Sequence, residues 1–200
     1  MSLTKQSKTL TTQQINTMST YLRSKRNGLR NQTIFYLSVY SGLRSKEISH
    51  LSWKQILTSD GNIGDSIHLT NSSSKGKNGG RIIPLHKKLK QNLIELHNKH
   101  KTKSYYNPNT SFVITTERQP FTTSQTIVNM FQSFYTKLNY IGCSSHSGRR
   151  TFITNTSKKI SLVGGSLRDI QYLSGHSSLQ TTQLYIEGDS KSRTKVVDLL

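Results

Sequence analysis

Two hundred residues are enough for one domain with its own core. The 28 Lys and Arg against 9 Asp and Glu give a net charge of +19 and an isoelectric point near 10.2. That balance points to a polyanionic partner, and to nucleic acid before membrane, because no apolar run approaches the ~20 residues of a spanning helix. The single cysteine, Cys143, excludes an internal disulfide, and no Cys/His spacing suggests a metal site. The polar start, MSLTKQSKTLTTQQ, lacks a signal-peptide core, so cytoplasmic residence is expected.

Residues 1–10 are polar and basic and are expected to form a flexible arm. Thr11 or Thr12 is positioned to cap a helix through TTQQINTMSTYLRSKR, with Ile15, Met18 and Leu22 at helical spacing. Asn27-Gly28 is a stop signal. LRNQTIFYLSVYSG reads as a buried helix ending at Gly42, and Ser45 stands where the next helix would be capped. Ile48 and Leu51 share a face there, and Trp53 closes the segment. NIGDSIHLT and GRIIPL read as two strands of a hairpin, joined by the glycine- and lysine-rich NSSSKGKNGG.

HKKLKQNLIELHNKHKTK is a patterned helix with Leu89, Leu93, Ile94 and Leu96 as its apolar positions. FVITT is a short strand or extended piece. SQTIVNMFQSFYTKLNYIG is a helix with Ile127, Met130, Phe131 and Phe134 on one face and Gly142 as its stop. Ser145 is placed to cap a helix that begins at His146. GGS at 164–166 is a loop, LRDIQYLSG a helix stopped by Gly175, and SSLQTTQLYIEG the helix or turn that carries Tyr185. The predicted fold class is therefore mainly α with a small antiparallel β-sheet. Residues 11–187 form the domain, and 188–200 are a tail that turns apolar at Val196, Val197, Leu199 and Leu200.

The last third concentrates the chemistry. His146 and Arg149 are three residues apart, His176 follows Gly175, and Tyr185 lies nine residues beyond His176. Arg44 joins them from a helix junction far upstream. No Asp or Glu occurs between Arg118 and Arg168. Two arginine forks match the non-bridging oxygens of a phosphate and stabilise charge developing on phosphorus. The histidines can donate to phosphate or move the nucleophile's proton. A tyrosine is a nucleophile once its phenolate is favoured by cations, although a lone tyrosine more often simply packs its ring. Lys75 or Lys77, at the hairpin tip, can protonate a leaving oxygen or merely bind backbone. The remaining histidines, His50, His68, His86, His97 and His100, have no such company and read as structural.

These motifs together resemble the tyrosine recombinases, the phage-integrase family. A G-L-R-x-x-E-[IL]-x-x-L-x-W box stands at Gly42–Trp53, an H-x-L-R-[HR] box at His146–Arg150, and an L-G-H…T-x-x-Y box at Ser174–Tyr185, with Thr181 or Thr182 as the threonine. The family's hairpin lysine before an R-x-[IV]-P-L strand is matched by Lys75 or Lys77 ahead of Arg81-Ile82-Ile83-Pro84-Leu85, with Lys75 preferred. The resemblance implies a catalytic set of Arg44, Lys75, His146, Arg149, His176 and Tyr185, with Glu47 in support. It implies attack by Tyr185 to give a 3′-phosphotyrosine and a free 5′-hydroxyl, needing no cofactor, no metal and no ATP. Two departures carry expectations: Gly148 in place of an apolar residue predicts a looser helix start, and Ser174 in place of leucine predicts weaker packing.

The resemblance covers the catalytic domain without the separate helical domain that usually precedes it, as in the short fimbrial-switch invertases. DNA affinity is then expected to be weaker and more salt-sensitive. The implied partners are double-stranded DNA, a homotetramer of this chain on two DNA sites with exchanged C-terminal tails, and an accessory DNA-bending protein, with no membrane. The implied location is the nucleoid, or the host cytoplasm for a viral protein. Two other readings stand beside site-specific recombination: a type IB topoisomerase-like relaxation of DNA, and a DNA-binding regulator that keeps the fold without turnover.

Overall fold

The computed structural model describes residues 6–70 and 80–185. Helix α1 (Thr12–Arg23) starts at a capping box in which Thr11 Oγ1 accepts from the Gln14 amide and Gln14 returns a bond to the Thr11 amide. Its Ile15, Met18 and Leu22 are buried, as their spacing predicts. Helix α2 (Gly28–Ser41) is the central element. It packs against α1 and against two later helices, α4 (Lys87–Lys101) and α6 (Ser147–Lys159). A helix enclosed on several sides needs apolar or small residues all round, and Leu29, Ile34, Phe35, Leu37, Val39, Ser38 and Ser41 are all buried. Gly42 ends it in the left-handed region (φ +64), and Leu43 and Arg44 lead into the short helix α3 (Ser45–Ser49).

Strands β1 (Ser66–Leu69) and β2 (Arg81–Pro84) pair antiparallel, with Ile67 opposite Ile83 in the core and His68 opposite Ile82 outside. Their connector, including Lys75 and Lys77, lies outside the described residues, as does the tail from 186 onward. Helices α5 (Ser124–Lys137), α7 (Leu167–Ser174) and α8 (Leu179–Gln183) complete the fold, with a 3₁₀ turn at Ile160–Val163 leading into α7. The architecture is mainly α with one small antiparallel sheet. Among the described residues, no helix is long and apolar enough to cross a membrane.

Several expectations change. Residues 7–10 of the predicted flexible arm are docked: the Lys8 amide donates to Gly142 O, the Leu10 amide to Thr151 Oγ1, and Leu10 is buried. Arg44, not Ser45, is the residue before α3, because the Arg44 amide donates to Glu47 Oε2. The α6 cap expected at Ser145 falls one residue later, at His146. In α4, Ile94 is 42% exposed, while Asn92, His97 and His100 take inner positions. Polar partners make that burial tolerable: Asn92 bonds Gln32 and Thr33, His100 accepts from the Trp53 indole at 3.1 Å, and His97 bonds Tyr106. Helix α5 stops at Lys137, before Gly142, where Asn139 turns left-handed, and its buried positions are Ile127, Phe131 and Tyr135. FVITT makes one bridge, Ser52 with Phe112, and is otherwise a buried extended piece.

Candidate active site

The α2–α3 junction, the start of α6 and the end of α7 meet at one place. Arg149 lies in the first turn of α6 and is only 4% exposed. Its Nη1 donates to Gly42 O at 2.6 Å and its Nη2 to Ser174 O at 2.5 Å. Arg44 donates from Nη2 to Gly175 O at 3.3 Å and from Nη1 to Glu47 Oε1 at 3.2 Å, and its side chain is 28% exposed. A third arginine, Arg81 on β2, donates from Nε to Leu173 O at 3.0 Å and from both terminal nitrogens to Glu47, at 2.9 and 3.2 Å.

Leu173, Ser174 and Gly175 are consecutive at the C-terminus of α7. Helix carbonyls at that end have no partner within the helix and carry the negative end of its dipole. The Gly175 and His176 amides bond back to Tyr172 O and Gln171 O. The next three carbonyls go to Arg81, Arg149 and Arg44 in turn.

Gly148 is not a loosened position. A Cβ there would overlap Ser38 Oγ and lie 2.9 Å from Ser38 Cβ, so the glycine lets α6 press onto α2 and seats Arg149 beside Gly42. Ser174 is not a packing defect either: it is fully buried, and its hydroxyl donates to Ile170 O at 2.7 Å.

His176 Nδ1 lies 3.0 Å from Thr182 Oγ1, which distinguishes Thr182 from Thr181 as the threonine in contact with the histidine. The His176 ring stacks on Tyr185 with centroids 5.5 Å apart, and the Arg150 guanidinium lies 5.7 Å from the Tyr185 ring centroid. His146 stands just before α6. A cleft of about 210 Å³ is lined by His146, Arg149, Arg150, Thr181, Leu184 and Tyr185, with Gln6 and Ser7 along one side. Two roomier hollows, of about 370 and 460 Å³, lie near residues 27–30 and 105–120 and contain none of the expected site residues. Size therefore does not mark the candidate site.

The electrostatics follow from burial and crowded cations. Burial, then the charges of Arg149, Arg44 and Arg81, pushes His176 down to about 4, and burial with Arg149 and Arg44 lowers His146. Both imidazoles are thereby favoured neutral. Burial, then Arg44, lowers Arg149 to about 9. Burial pushes the Glu47 carboxyl up, but hydrogen bonds and charge from Arg81 and the Arg44 amide outweigh it and hold Glu47 below its ordinary value.

The structure thus brings Arg44, His146, Arg149, His176 and Tyr185 together, while Lys75 lies outside the described residues. Sequence reasoning missed Arg81 as a member of this group and took it only as a landmark for a strand. The signal was faint, since its partners Glu47 and Leu173 are distant in the chain. Among the described residues, no three His, Cys, Asp or Glu side chains group as metal ligands.

The chain is 27% identical over 172 residues to tyrosine recombinase XerA of Pyrococcus horikoshii, covering 86% of this chain and 55% of that protein, so it spans about half the relative's length. Among solved structures, a crystal structure of XerA recombinase superposes with a TM-score of 0.74 at 20% identity, covering 96% of this chain and 64% of the other. The Tn1549 transposon integrase in complex with a circular intermediate DNA superposes with a TM-score of 0.75 at 18% identity, covering 99% of this chain and 67% of that one. The model of the phage integrase family matches residues 8–191, and the chain belongs to that family.

Proposed function

We propose that this chain cuts and rejoins double-stranded DNA at specific sites through a covalent link to Tyr185. The observation that carries this reading is the convergence of two arginines, two histidines and a tyrosine from separate elements: His146, Arg149 and Tyr185 line one cleft, His176 stacks on Tyr185, and Arg44 is held on the same end of α7 as Arg149, in a chain of +19 charge.

Tyr185 Oη attacks the scissile phosphorus. The Tyr–O–P bond forms, the bond to the 5′-oxygen breaks, and the DNA 3′ end is left as a phosphotyrosine. Arg44 and Arg149 face the non-bridging oxygens, where charge grows in the transition state. His146, favoured neutral beside two arginines, accepts the phenol proton. In the tautomer whose Nδ1 accepts from Thr182, 3.0 Å away, His176 carries its proton on Nε2 and donates it as a hydrogen bond to phosphate. Lys75 or Lys77 gives the leaving 5′-oxygen its proton. Attack by a second strand's 5′-hydroxyl reverses each step. The phosphotyrosine conserves the energy of the broken bond, so neither ATP nor metal is required. The assembly is a homotetramer on two DNA sites, aided by a DNA-bending protein.

The test is covalent trapping on a nicked DNA substrate taken from the ends of the chain's own element, with wild type beside Tyr185→Phe. Wild type should give a species shifted on a denaturing gel and joined through the DNA 3′ end, and the variant should retard DNA only on a native gel. Retardation without any covalent species from wild type would favour a DNA-binding regulator. A covalent species that survives Tyr185→Phe would mean another nucleophile.

A further inference from the structure

We infer that Arg81 is a positioning residue for the phosphate-binding arginines, registering Arg44 and Arg149 on the end of α7 without touching DNA itself. This rests on the strand-cleavage reading above.

Arg81 cannot reach substrate. Its side chain is 2% exposed, and its guanidinium lies flush beneath the Gly175 turn, where a Cβ on Gly175 would come within 2.6 Å of Nη1. From there it acts on two neighbours at once. Its two terminal nitrogens engage both oxygens of buried Glu47, at 2.9 and 3.2 Å. Glu47 is therefore largely satisfied before Arg44 is counted, and Arg44 gives it one side-chain contact of 3.2 Å while its side chain stays 28% exposed. Without Arg81, Arg44 would be, among the described residues, the one remaining cation bonded to a buried carboxylate three residues away. The geometry would then draw Arg44 inward.

The second neighbour is the backbone of α7. Arg81 takes Leu173 O, the first of the three successive carbonyls whose next two hold Arg149 and Arg44. Strand β2 is tied to the same helix again, through the Ile82 amide donating to Tyr172 Oη at 3.0 Å. A shift of the α7 end moves both phosphate-facing arginines and His176 together. Arg81 also begins the strand that follows the Lys75/Lys77 connector, so one side chain links the lysine-bearing hairpin to the arginine pair.

Lysine separates positioning from simple charge compensation. Arg81→Lys keeps a cation against Glu47, yet a single ammonium cannot span both Glu47 oxygens and Leu173 O. Four readouts apply to Arg81→Lys, with Arg81→Met beside it: thermal melting, DNA retardation on a native gel, covalent-complex formation on the nicked substrate, and the side-chain Nε–H resonances of Arg44 and Arg149 in the DNA-free protein. Arg81→Lys should melt near wild type and retard DNA as wild type does. It should form covalent complex about 10²-fold more slowly, the scale of loss from an ångström-sized misplacement of a reacting group. The Arg44 and Arg149 resonances should move. Full rate with unmoved resonances in Arg81→Lys would overturn the inference. So would an Arg81→Met protein whose lost rate tracks only its unfolded fraction while the resonances of its folded fraction stay in place. Should wild type form no covalent complex, the cleavage reading fails, and the resonances still decide the role of Arg81.

Discussion

Replacing Gly148 with alanine sets two effects against each other. Helix propensity alone favours alanine by ~0.8–1 kcal/mol. Packing opposes it, because the new Cβ would overlap Ser38 Oγ and sit 2.9 Å from Ser38 Cβ and 3.3 Å from the Ser38 backbone carbon. The helices cannot easily part, since Arg149 bonds Gly42 O and the Phe152 ring is already pressed against Gly42. Overpacking of this kind costs ~1–3 kcal/mol. The net expectation is a loss of about 1 kcal/mol, or ~2–4 °C in Tm for a chain of this size. Ser38 Oγ is buried without a hydrogen-bond partner among the described residues, so Ser38→Ala should be neutral or stabilising by up to ~1 kcal/mol. The Ser38→Ala/Gly148→Ala pair should recover ~1 kcal/mol as coupling energy. Urea unfolding of the four proteins at constant m measures the cycle. Gly148→Ala stabilising by itself, or no coupling with Ser38→Ala, would refute the close approach as the reason for the glycine.

Arg149→Lys should slow covalent-complex formation by about 10²–10³-fold with DNA retardation largely kept, because an ammonium cannot bridge Gly42 O and Ser174 O while facing phosphate; single-turnover trapping beside a native gel checks the split. Burial, then Lys101, holds His97 at about 4, and burial, then Lys103 and His97, holds His100 at about 4. The unfolded chain protonates these near 6.5, so it binds more protons between pH 6.5 and 4, and stability should fall as pH drops through that window by ~1.4 kcal/mol per pH unit for each histidine. Urea midpoints against pH test this, and His100→Asn, which still accepts from Trp53, should flatten the curve. Lys75→Met should lose cleavage on ordinary DNA and regain it on a 5′-bridging phosphorothiolate, whose sulfur leaves without a proton; if only Lys77→Met behaves so, the acid is Lys77.

The helices were legible because their signals are local. Thr11 caps α1, Gly42 and Gly175 stop α2 and α7, and apolar spacing marks the inner face of α1. Where the reading failed, a polar group had found a distant partner. Asn92 and His100 displaced Ile94 from the inside of α4 because Gln32, Thr33 and Trp53 satisfy them, and none of those is near in sequence. Gly148 looked like a weakness because its meaning is a distance to Ser38 on another helix. Motif spacing named six expected site residues; five of them lie near one another in the fold, and Lys75 falls outside the described residues. Arg81 was not, since a buried arginine is legible only through the carboxylate and carbonyl it meets.

The three carbonyls at the end of α7 have a further consequence. A carbonyl aims a guanidinium without cancelling its charge, whereas a carboxylate does both. Among the described residues, Glu47 is the only acid bonded to Arg44, Arg81 or Arg149. On the strand-cleavage proposal the site would act as an ion exchanger with fixed cationic groups already pointed: DNA would enter by trading places with anions of the medium, and at Arg149, held by carbonyls, no bonded carboxylate would have to be pushed aside first.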